Sequence, residues 1–431
     1  MQNHNANIRN FAGDQQGSIA IIFAVCLTTL CGCVALAVDF ARVTNANSKL
    51  GDALDRAALA GAKLMDIDGT TTSDVVQRTT DFFKTQSKIL GMPITTAATL
   101  NVVVDWTNSG VTASAQLPVQ TAFAKTVGMA QINLNKSATV VYKMKKIELS
   151  LVLDVTGSMQ DTPAGDSMSK IDALKASAKS IVDTMYDLSV NEQAVRIAIA
   201  PYSSSVNAGT YASAVAGTTS WSNTCVVERT GLDNATDGFP SGAATLRPYE
   251  APTADASRID CLTSDIQPLL GRSARTSVKS NIDSFSPQGA TAGHIGTAWG
   301  WYLISDKWAS LFPTASKPAV PSGDVVKTVV VMTDGVFNTS YLNGPSTMSA
   351  ADETDSYQQF DDLCTNMKLQ KINVYTIGFG LGAGGGAGRA EAELRKCATT
   401  ASNFFLANNS TQLQTAFAAI ADRISQLRIS K

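Results

Sequence analysis

The chain has 431 residues, which is enough for two or three domains. Its formal net charge of −2 excludes the strongly basic surface that nucleic-acid-binding domains use. Charged residues make up 16% of the chain, below the roughly 25% usual in soluble domains, and Ser, Thr, Asn and Gly take their place. This composition suits an exported surface.

The first apolar segment predicts a membrane helix. We expect residues 1–17, which are polar, to form a cytoplasmic tail. Residues 18–38 carry no charge, and as a helix they would span about 31 Å, which matches the roughly 30 Å hydrocarbon core of a bilayer. A cleaved signal peptide is the alternative, since Ala35-Leu-Ala37 looks like a cleavage site. Because the apolar run is long and Arg9 is the single basic side chain before it, we expect a retained single-pass anchor.

Residues 39–145 predict a small α/β module that follows the membrane helix. The predicted elements are a continuation of that helix to about residue 65, a helix over 73–90, a hairpin of strands 101–106 and 111–118, and a strand over 136–143. A membrane helix that runs into such a module looks like the pilin-type and pseudopilin-type proteins.

Three polar sites follow predicted buried strands or precede a helix. An apolar strand beginning at Ile147 ends in Asp154, Thr156 and Ser158, whose alternate spacing lets their oxygens surround a single point. A second apolar strand ends at Asp334, and a Gly-rich loop presents Thr291. In open α/β sheets ligands bind outside the carboxyl ends of the strands, and oxygen ligands suit a hard cation, Mg²⁺ first and Mn²⁺ or Ca²⁺ as alternatives. A turn whose hydroxyls merely cap backbone groups is the other interpretation.

The set Asp-x-Thr-x-Ser, then Thr, then Asp resembles the metal-ion-dependent adhesion site of von Willebrand factor type A domains. Thr156 stands where many members have Ser, and this exchange keeps the hydroxyl group. The resemblance implies that an acidic side chain of a partner protein completes the coordination shell. It also implies that the metal ligands, direct or through water, are Asp154, Thr156, Ser158, Thr291 and Asp334.

Residues 146–431 alternate strands with helices, which predicts an α/β fold with a doubly wound, mostly parallel sheet of the Rossmann-like type A kind. The polar, Gly/Ser/Thr-rich residues 203–285 predict an insertion. A Gly-rich stretch over 380–385 has the glycines of a dinucleotide fingerprint, but no acidic residue follows about 20 positions later, so we interpret it as a flexible loop. His294 is predicted to be structural.

The cysteines favour an oxidising compartment for the large domain. Four of the seven lie outside the apolar segment, an even number, and three pairings are possible. We favour the two local ones, Cys225–Cys261 and Cys364–Cys397, with free buried thiols as the alternative. The positive-inside rule points weakly the other way, because three basic residues follow the span: Arg42, Lys49 and Arg56. We expect a bacterial inner-membrane protein whose C-terminal domain lies in the periplasm or outside.

The start Gly17-Ser-Ile-Ala-Ile-Ile-Phe-Ala is similar to the N-terminal region of TadG-like proteins of the Flp (tight adherence, Tad) pilus assembly system. Residues 424–431 and the cysteines that bracket the strand predicted over 372–379 are also TadG-like. Those bacterial proteins join an N-terminal anchor to a C-terminal type A domain. The resemblance therefore implies a membrane-anchored, metal-dependent adhesion module, not an enzyme, whose partner is a pilus-assembly protein or a surface ligand.

Two alternatives remain open. The first is a pseudopilin-like scaffold in which the metal only stabilises the fold. The second is an aspartyl-phosphate hydrolase, because Asp154-Val-Thr-Gly-Ser resembles the Asp-Lys-Thr-Gly-Thr of P-type ATPases. Val155 replaces the lysine of that motif, however, and a single membrane span cannot transport ions. Neither a nucleic acid nor a small-molecule substrate is expected.

Overall fold

The computed structural model describes residues 16–91, 99–142, 144–218, 223–229, 231–241, 245–249, 261–381 and 387–429. Two compact units divide the chain, Met1–Lys143 and Met144–Lys431. Residues 1–15 of the predicted cytoplasmic tail and residues 382–385 of the predicted Gly-rich loop lie outside the described residues.

The N-terminal unit is built on one long helix, α1 (Gln16–Ala62). Its first part is exposed and apolar, with a mean hydropathy of 2.6, so α1 is long and apolar enough to cross a membrane. Its last part is amphipathic and buries residues such as Leu50, Leu54 and Ala58 against a small sheet. Helix α2 (Thr72–Ile89) begins at a capping box formed by Thr71 and Asp74.

That small sheet contains three antiparallel strands in the order β1-β2-β3: Thr99–Asp105, Gly110–Gln120 and Gln131–Val141. The hairpin predicted from the alternating pattern is therefore present, and its strands are joined by residues 106–109. The third strand begins five residues before its predicted start, where Gln131 pairs with Gln120.

The C-terminal unit contains a six-stranded sheet and a separate three-stranded sheet. In chain order its strands are β4 (Lys146–Asp154), β5 (Val195–Tyr202), β6 (Val206–Asn207), β7 (Cys225–Val227), β8 (Arg247–Pro248), β9 (Gln267–Leu270), β10 (Val325–Thr333), β11 (Asn373–Phe379) and β12 (Phe404–Ala407). Its α-helices are α3 (Lys170–Asp187), α4 (Ala212–Ala216), α5 (Arg275–Asp283), α6 (Gly293–Tyr302), α7 (Ala350–Leu369), α8 (Ala387–Cys397) and α9 (Ser410–Ile429).

Helices cover both faces of the large sheet, whose strand order is β12-β11-β10-β4-β5-β9. Successive residues of a strand point to opposite faces, so Leu151 and Leu153 of β4 pack towards α3 and α9, whereas Val152 packs towards α6. The central strands are buried along nearly their whole length, which explains their continuous apolar sequence.

The sheet is mixed: β12, β11, β10, β4 and β5 are parallel, but the edge strand β9 is antiparallel to β5. Residues 203–285 are accordingly not one separate insertion. Strands β6–β8 form the separate three-stranded sheet, whereas β9 extends the six-stranded sheet. Helix α5 packs on α3 through ion pairs such as Lys279–Asp183, 2.6 Å. The alternating strand–helix pattern did not predict β9, because this strand has only four residues. Among the described residues, the α-helix between β5 and β9 is the five-residue α4, which is too short to give a helical pattern.

Two glycines of helix α6 face Tyr202 and Val152 of the sheet without space for a side chain. A Cβ atom at Gly296 would lie 2.4 Å from the Tyr202 ring, and one at Gly300 would lie 2.2 Å from Val152. These distances are far below van der Waals contact, so both positions require glycine for the observed packing. The helix therefore holds the loop that precedes it, including Thr291, close to the ends of β4 and β5.

Both disulfides favoured by the sequence are present. Cys225–Cys261 joins β7 to the segment that leads to β9, and Cys364–Cys397 joins α7 to the last residue of α8. Each bridge closes a loop of about 35 residues, which stabilises a domain by about 2–4 kcal/mol. The other three cysteines lie on the exposed apolar part of α1 and are free: Cys26, Cys31 and Cys33.

Candidate cation site at the carboxyl ends of the central strands

The two candidate carboxylates meet because their strands are parallel neighbours. Strand β10 pairs with β4 in a register that places Met332 opposite Leu153. Asp154 is the last residue of β4, and Asp334 follows β10 directly. Both side chains therefore lie at the same edge of the sheet, as the sequence predicted.

Asp154 is fully buried and surrounded by hydrogen-bond donors. Its Oδ1 atom accepts from the Thr156 backbone N–H at 2.9 Å and from the Thr156 hydroxyl at 2.6 Å. Its Oδ2 atom accepts from the Thr333 hydroxyl at 2.7 Å and from the Tyr202 phenol at 3.2 Å. These donors orient the carboxylate and leave its negative charge without a neutralising cation among its described contacts.

Burial raises the pKa of Asp154 to about 6, and the nearby charge of Asp334 adds to that rise. Burial also raises the pKa of Tyr202 well above its usual value of 10, and the charge of Asp154 acts in the same direction. Tyr202 therefore keeps its proton and remains a hydrogen-bond donor to Asp154.

Asp334 is buried as well, but it has a cationic partner. The Ser158 hydroxyl donates to its Oδ1 atom at 2.7 Å, and the Lys170 ammonium donates to its Oδ2 atom at 2.8 Å. Lys170 is the first residue of α3, and its side chain is mostly buried. The cluster thus contains two carboxylates and one ammonium group, so it has an excess of negative charge when both carboxylates are ionised.

The hydroxyl groups of Thr156 and Ser158 lie 3.1 Å apart, between the two carboxylates. Each donates its proton to a carboxylate, Thr156 to Asp154 and Ser158 to Asp334, so the oxygen lone pairs face away from those carboxylates. Ser158 is exposed, which opens the cluster to solvent. Hydroxyl and carboxylate oxygens with an unbalanced negative charge form a donor set that fits a hard divalent cation.

Thr291 lies in the loop beside this network. Its backbone N–H donates to the Asn338 side chain at 2.9 Å, and the Asn338 N–H donates back to the Thr291 carbonyl at 3.0 Å. The Gly157 N–H donates to the Gly289 carbonyl at 3.0 Å, which holds the Thr291 loop against the Thr156–Ser158 turn. The structure thus joins four of the five predicted ligands in one hydrogen-bonded network, and the described hydrogen bonds of the fifth, Thr291, run through its backbone.

Sequence analysis missed four residues that shape the site: Lys170, Tyr202, Thr333 and Asn338. One of them had a usable signal. A positive charge at the first position of a helix is unfavourable, because it lies at the positive end of the helix dipole. Lys170 in that position therefore indicated a nearby negative charge. Tyr202 had no such signal, because its role depends on the pairing of β5 with β4.

His294 is fully buried on α6, three residues after Thr291. Its Nδ1 atom lies 2.6 Å from the Ser356 hydroxyl, and its Nε2 atom lies 3.6 Å from Glu228. Among the described residues no group of three or more His, Cys, Asp or Glu side chains could hold a metal ion. A cation at the site would therefore depend on two carboxylates together with hydroxyl oxygens.

Two of three comparisons relate the chain to known proteins. Residues 17–64 match the family model "Putative Flp pilus-assembly TadE/G-like". No curated protein matches the chain.

Among solved structures, one that matches is the von Willebrand factor domain of the type V pili tip protein Mfa5 from Porphyromonas gingivalis, with 12% identity and a TM-score of 0.41 over 67% of this chain and 98% of that one. Another is the adhesive tip pilin GBS104 from Group B Streptococcus agalactiae, with 12% identity and a TM-score of 0.39 over 65% and 100% of the two chains. The pilus adhesin SpaC from Lactobacillus rhamnosus GG has 12% identity and a TM-score of 0.40 over 77% of this chain, which spans 35% of SpaC.

Similarity at this level is too low to establish a shared fold or function. The family match covers most of α1 and the two residues that follow it, and it leaves the C-terminal unit outside. Residues 17–64 are therefore similar to TadE/G-like pilus-assembly proteins.

Proposed function

We propose that the C-terminal unit is a cation-dependent protein-binding module, and that α1 anchors it in a bacterial membrane as part of a Tad (Flp) pilus assembly system. The family match at residues 17–64 supports the pilus context. The length and apolar surface of α1 support the anchor. We propose an inner-membrane location with the large unit on the periplasmic or outer side, which agrees with its two disulfides.

The observation that carries the proposal is the charge imbalance of the buried cluster. Two carboxylates face one ammonium group, and two hydroxyl oxygens between them have lone pairs available. We propose Mg²⁺ as the ion, with Mn²⁺ or Ca²⁺ as substitutes. Its ligands, direct or through water, would be Asp154, Thr156, Ser158, Thr291 and Asp334. When bound, the ion would supply an electrophilic centre that attracts an acidic side chain of a partner protein.

Calorimetric titration of Mg²⁺ and Mn²⁺ into the full chain in lipid nanodiscs tests this proposal. We expect Ser158→Ala and Asp334→Asn to weaken binding at least tenfold, because each removes an oxygen ligand. The matched control is Asp187→Asn, which alters an exposed carboxylate at the other end of α3. Equal affinity in all four proteins would contradict the site, and loss of affinity in the control would show that the changes act indirectly.

The second candidate function is a scaffold in which a metal only stabilises the fold, and one observation favours it. Lys170 neutralises Asp334 without any metal ion. Removal of divalent ions with EDTA separates the two candidates. A scaffold would lose stability but keep its protein partners, whereas a cation-dependent module would lose both.

We propose binding and not catalysis because of the burial of Asp154. Both of its oxygen atoms already accept hydrogen bonds, and the side chain has no exposed surface for attack on a phosphoryl donor. An aspartyl-phosphate hydrolase would need that surface. A phosphoryl group trapped on Asp154 would overturn this part of the proposal.

A further inference from the structure

The connection between β2 and β3 is attached to α1 by a single carboxylate. We name residues 121–130 the tethered loop. Three backbone N–H groups of this loop donate hydrogen bonds to the Asp39 carboxylate on α1: those of Ala122 at 2.7 Å, Phe123 at 2.8 Å and Ala124 at 2.7 Å. The carboxylate is only 4% exposed, so these bonds satisfy it inside the protein. Asp39 therefore fixes the height of the tethered loop along α1.

That height coincides with the end of the apolar part of α1. Residues 19–38 are uncharged and nearly all exposed, and Asp39 is the next residue. Because a helix rises 1.5 Å per residue, the attachment point lies about 2 Å beyond the apolar segment. If α1 crosses a membrane, the tethered loop is held at the boundary between hydrocarbon and water.

The tethered loop presents large apolar side chains at this boundary. Phe123 is 48% exposed, Val127 is 74% exposed and Met129 is 54% exposed. Phe40, next to the attachment point on α1, is 74% exposed. Lys125, on the short 3-10 helix Ala124–Val127, adds an exposed positive charge. Exposed aromatic and aliphatic groups beside a cation are typical of surfaces that bind the interfacial region of a bilayer.

We propose that the tethered loop inserts Phe123, Val127 and Met129 into the interfacial region of the membrane that α1 crosses. The continuity of this surface with the exposed apolar face of α1 selects lipid as its occupant. The inference depends on the proposed membrane anchor, but it is independent of the cation site. Its consequence is a second attachment that limits the tilt and rotation of the N-terminal unit about α1.

Depth-dependent fluorescence tests the proposal on the full chain. The three cysteines on α1 are replaced by alanine, and Val127→Cys carries an environment-sensitive fluorophore. The control label is Ile67→Cys, which is 44% exposed and follows the other end of α1, about 35 Å from Asp39. Each protein is placed as one copy per nanodisc of purified phospholipid, so neither a partner protein nor a second copy can cover the label.

We expect the label at residue 127 to emit at shorter wavelength and to be quenched several-fold more strongly by shallow spin-labelled lipid than the label at residue 67. Asp39→Ala should remove most of this difference, because the loop loses its attachment, whereas Asp52→Ala, an exposed carboxylate of the same helix, should leave it unchanged. Equal, weak quenching at both positions would overturn the proposal. A label at residue 127 that is shielded in native membranes but exposed in pure lipid would also overturn it, in favour of a protein partner.

Resistance to alkaline carbonate extraction distinguishes the proposed membrane anchor from the proposed interfacial contact. A protein that is extracted lacks the proposed anchor itself. A protein that is retained but shows an exposed label at residue 127 keeps the anchor and lacks the interfacial contact. The comparison of the two labels requires no change at Asp39, so it remains valid if Asp39→Ala fails to fold.

Discussion

The central strands β4, β5 and β10 have a buried ionic cluster at each end, and the two clusters have opposite charge balance. At the carboxyl ends are two carboxylates, Asp154 and Asp334, and one ammonium group, that of Lys170, which pairs with Asp334. At the amino ends, the single carboxylate of Glu148 faces two cations, Arg196 and Lys327. The same three strands therefore support one cluster with an excess of negative charge and one with an excess of positive charge.

The amino-end cluster contains its own counter-charges. The Lys327 ammonium lies 3.0 Å from Glu148, and the Arg196 guanidinium donates to the same carboxylate. Each cation also donates to a backbone carbonyl, Arg196 to Ala315 at 3.0 Å and Lys327 to Ile304. These carbonyl oxygens interact favourably with the excess of positive charge.

The carboxyl-end cluster has an excess of negative charge and an exposed hydroxyl at Ser158. Its internal donors are neutral except for Lys170, so they orient the carboxylates without neutralising both. Burial does not distinguish the two clusters, because the carboxylates of both are buried. They differ in the sign of the excess charge and in the hydroxyl of Ser158, which solvent can reach.

The largest effect is expected at the amino-end cluster. Glu148→Ala leaves two buried cations without their carboxylate, and we expect a loss of about 3–5 kcal/mol in the free energy of unfolding. Urea denaturation should show the same loss with Mg²⁺ and with EDTA, since Glu148 pairs with two cations of the protein itself. As a control, Asp187→Asn in an exposed ion pair should cost less than about 1 kcal/mol. A loss for Glu148→Ala that depends on Mg²⁺ would show that the amino-end cluster also responds to a divalent ion.

The next effect is a pH dependence of the carboxyl-end cluster in EDTA. The pKa of Asp154 is about 6 in the folded state and near its ordinary value of 3.8 in the unfolded state. The folded state therefore binds more protons between these values, and stability falls as pH rises from 4 to 6. The expected loss is about 2–3 kcal/mol.

Urea denaturation across this pH range measures that loss. Above this range, near pH 7, saturating Mg²⁺ should restore part of the lost stability, since an ion at 100 times its dissociation constant stabilises the folded state by about 2.7 kcal/mol. The variant Asp154→Asn lacks the titrating group and should show a flatter profile than the parent protein. Stability in EDTA that rises between pH 4 and 6 in excess of this control would contradict the assignment.

A smaller effect is expected for Lys170, which supplies the internal cation. Lys170→Met removes a charge that competes with a bound ion, so we expect the affinity for Mg²⁺ to rise about tenfold, or about 1.4 kcal/mol. In EDTA the same variant should be less stable, because Asp334 then has no cationic partner. Lys175→Met on the same helix is the control. A calorimetric affinity that falls in Lys170→Met would show that the ammonium assists the ion instead of competing with it.

The smallest effect concerns the hydroxyl group of Thr156. Thr156→Ser keeps the hydroxyl that donates to Asp154, and we expect the Mg²⁺ affinity to stay within about threefold of the parent value. Thr156→Val has a similar shape but no hydroxyl, so it should lose at least tenfold. A larger loss in Thr156→Ser than in Thr156→Val would show that the methyl group, and not the hydroxyl oxygen, decides the fit.

Much of the frame of this site could be predicted from the sequence. Apolar strands ending at Asp154 and Asp334 place both carboxylates at one edge of the sheet, because the carboxyl ends of parallel neighbours coincide. The local cysteine pairs were predictable for a related reason, since each closes a short loop around adjacent elements. Periodicity and order along the chain contain this information.

The remaining features depend on contacts that sequence order does not specify. Lys170 meets Asp334 across 164 positions, and Tyr202 reaches Asp154 from the neighbouring strand. The antiparallel strand β9 was missed because its four residues pair with β5 only after the chain has formed the β6–β8 sheet. Side-chain networks and short edge strands are selected by tertiary packing, and local propensity is weak there.

The glycine at position 296 limits how this domain can be engineered. Replacing a helical glycine by alanine usually stabilises a helix by about 1 kcal/mol, so Gly296 is an obvious choice for anyone who designs a more robust variant. Here the added carbon would lie 2.4 Å from the ring of Tyr202, the residue whose phenol holds Asp154. A substitution intended to improve one helix would thus disturb a carboxylate two contacts away, and sequence tolerance on α6 is set by the site and not by the helix.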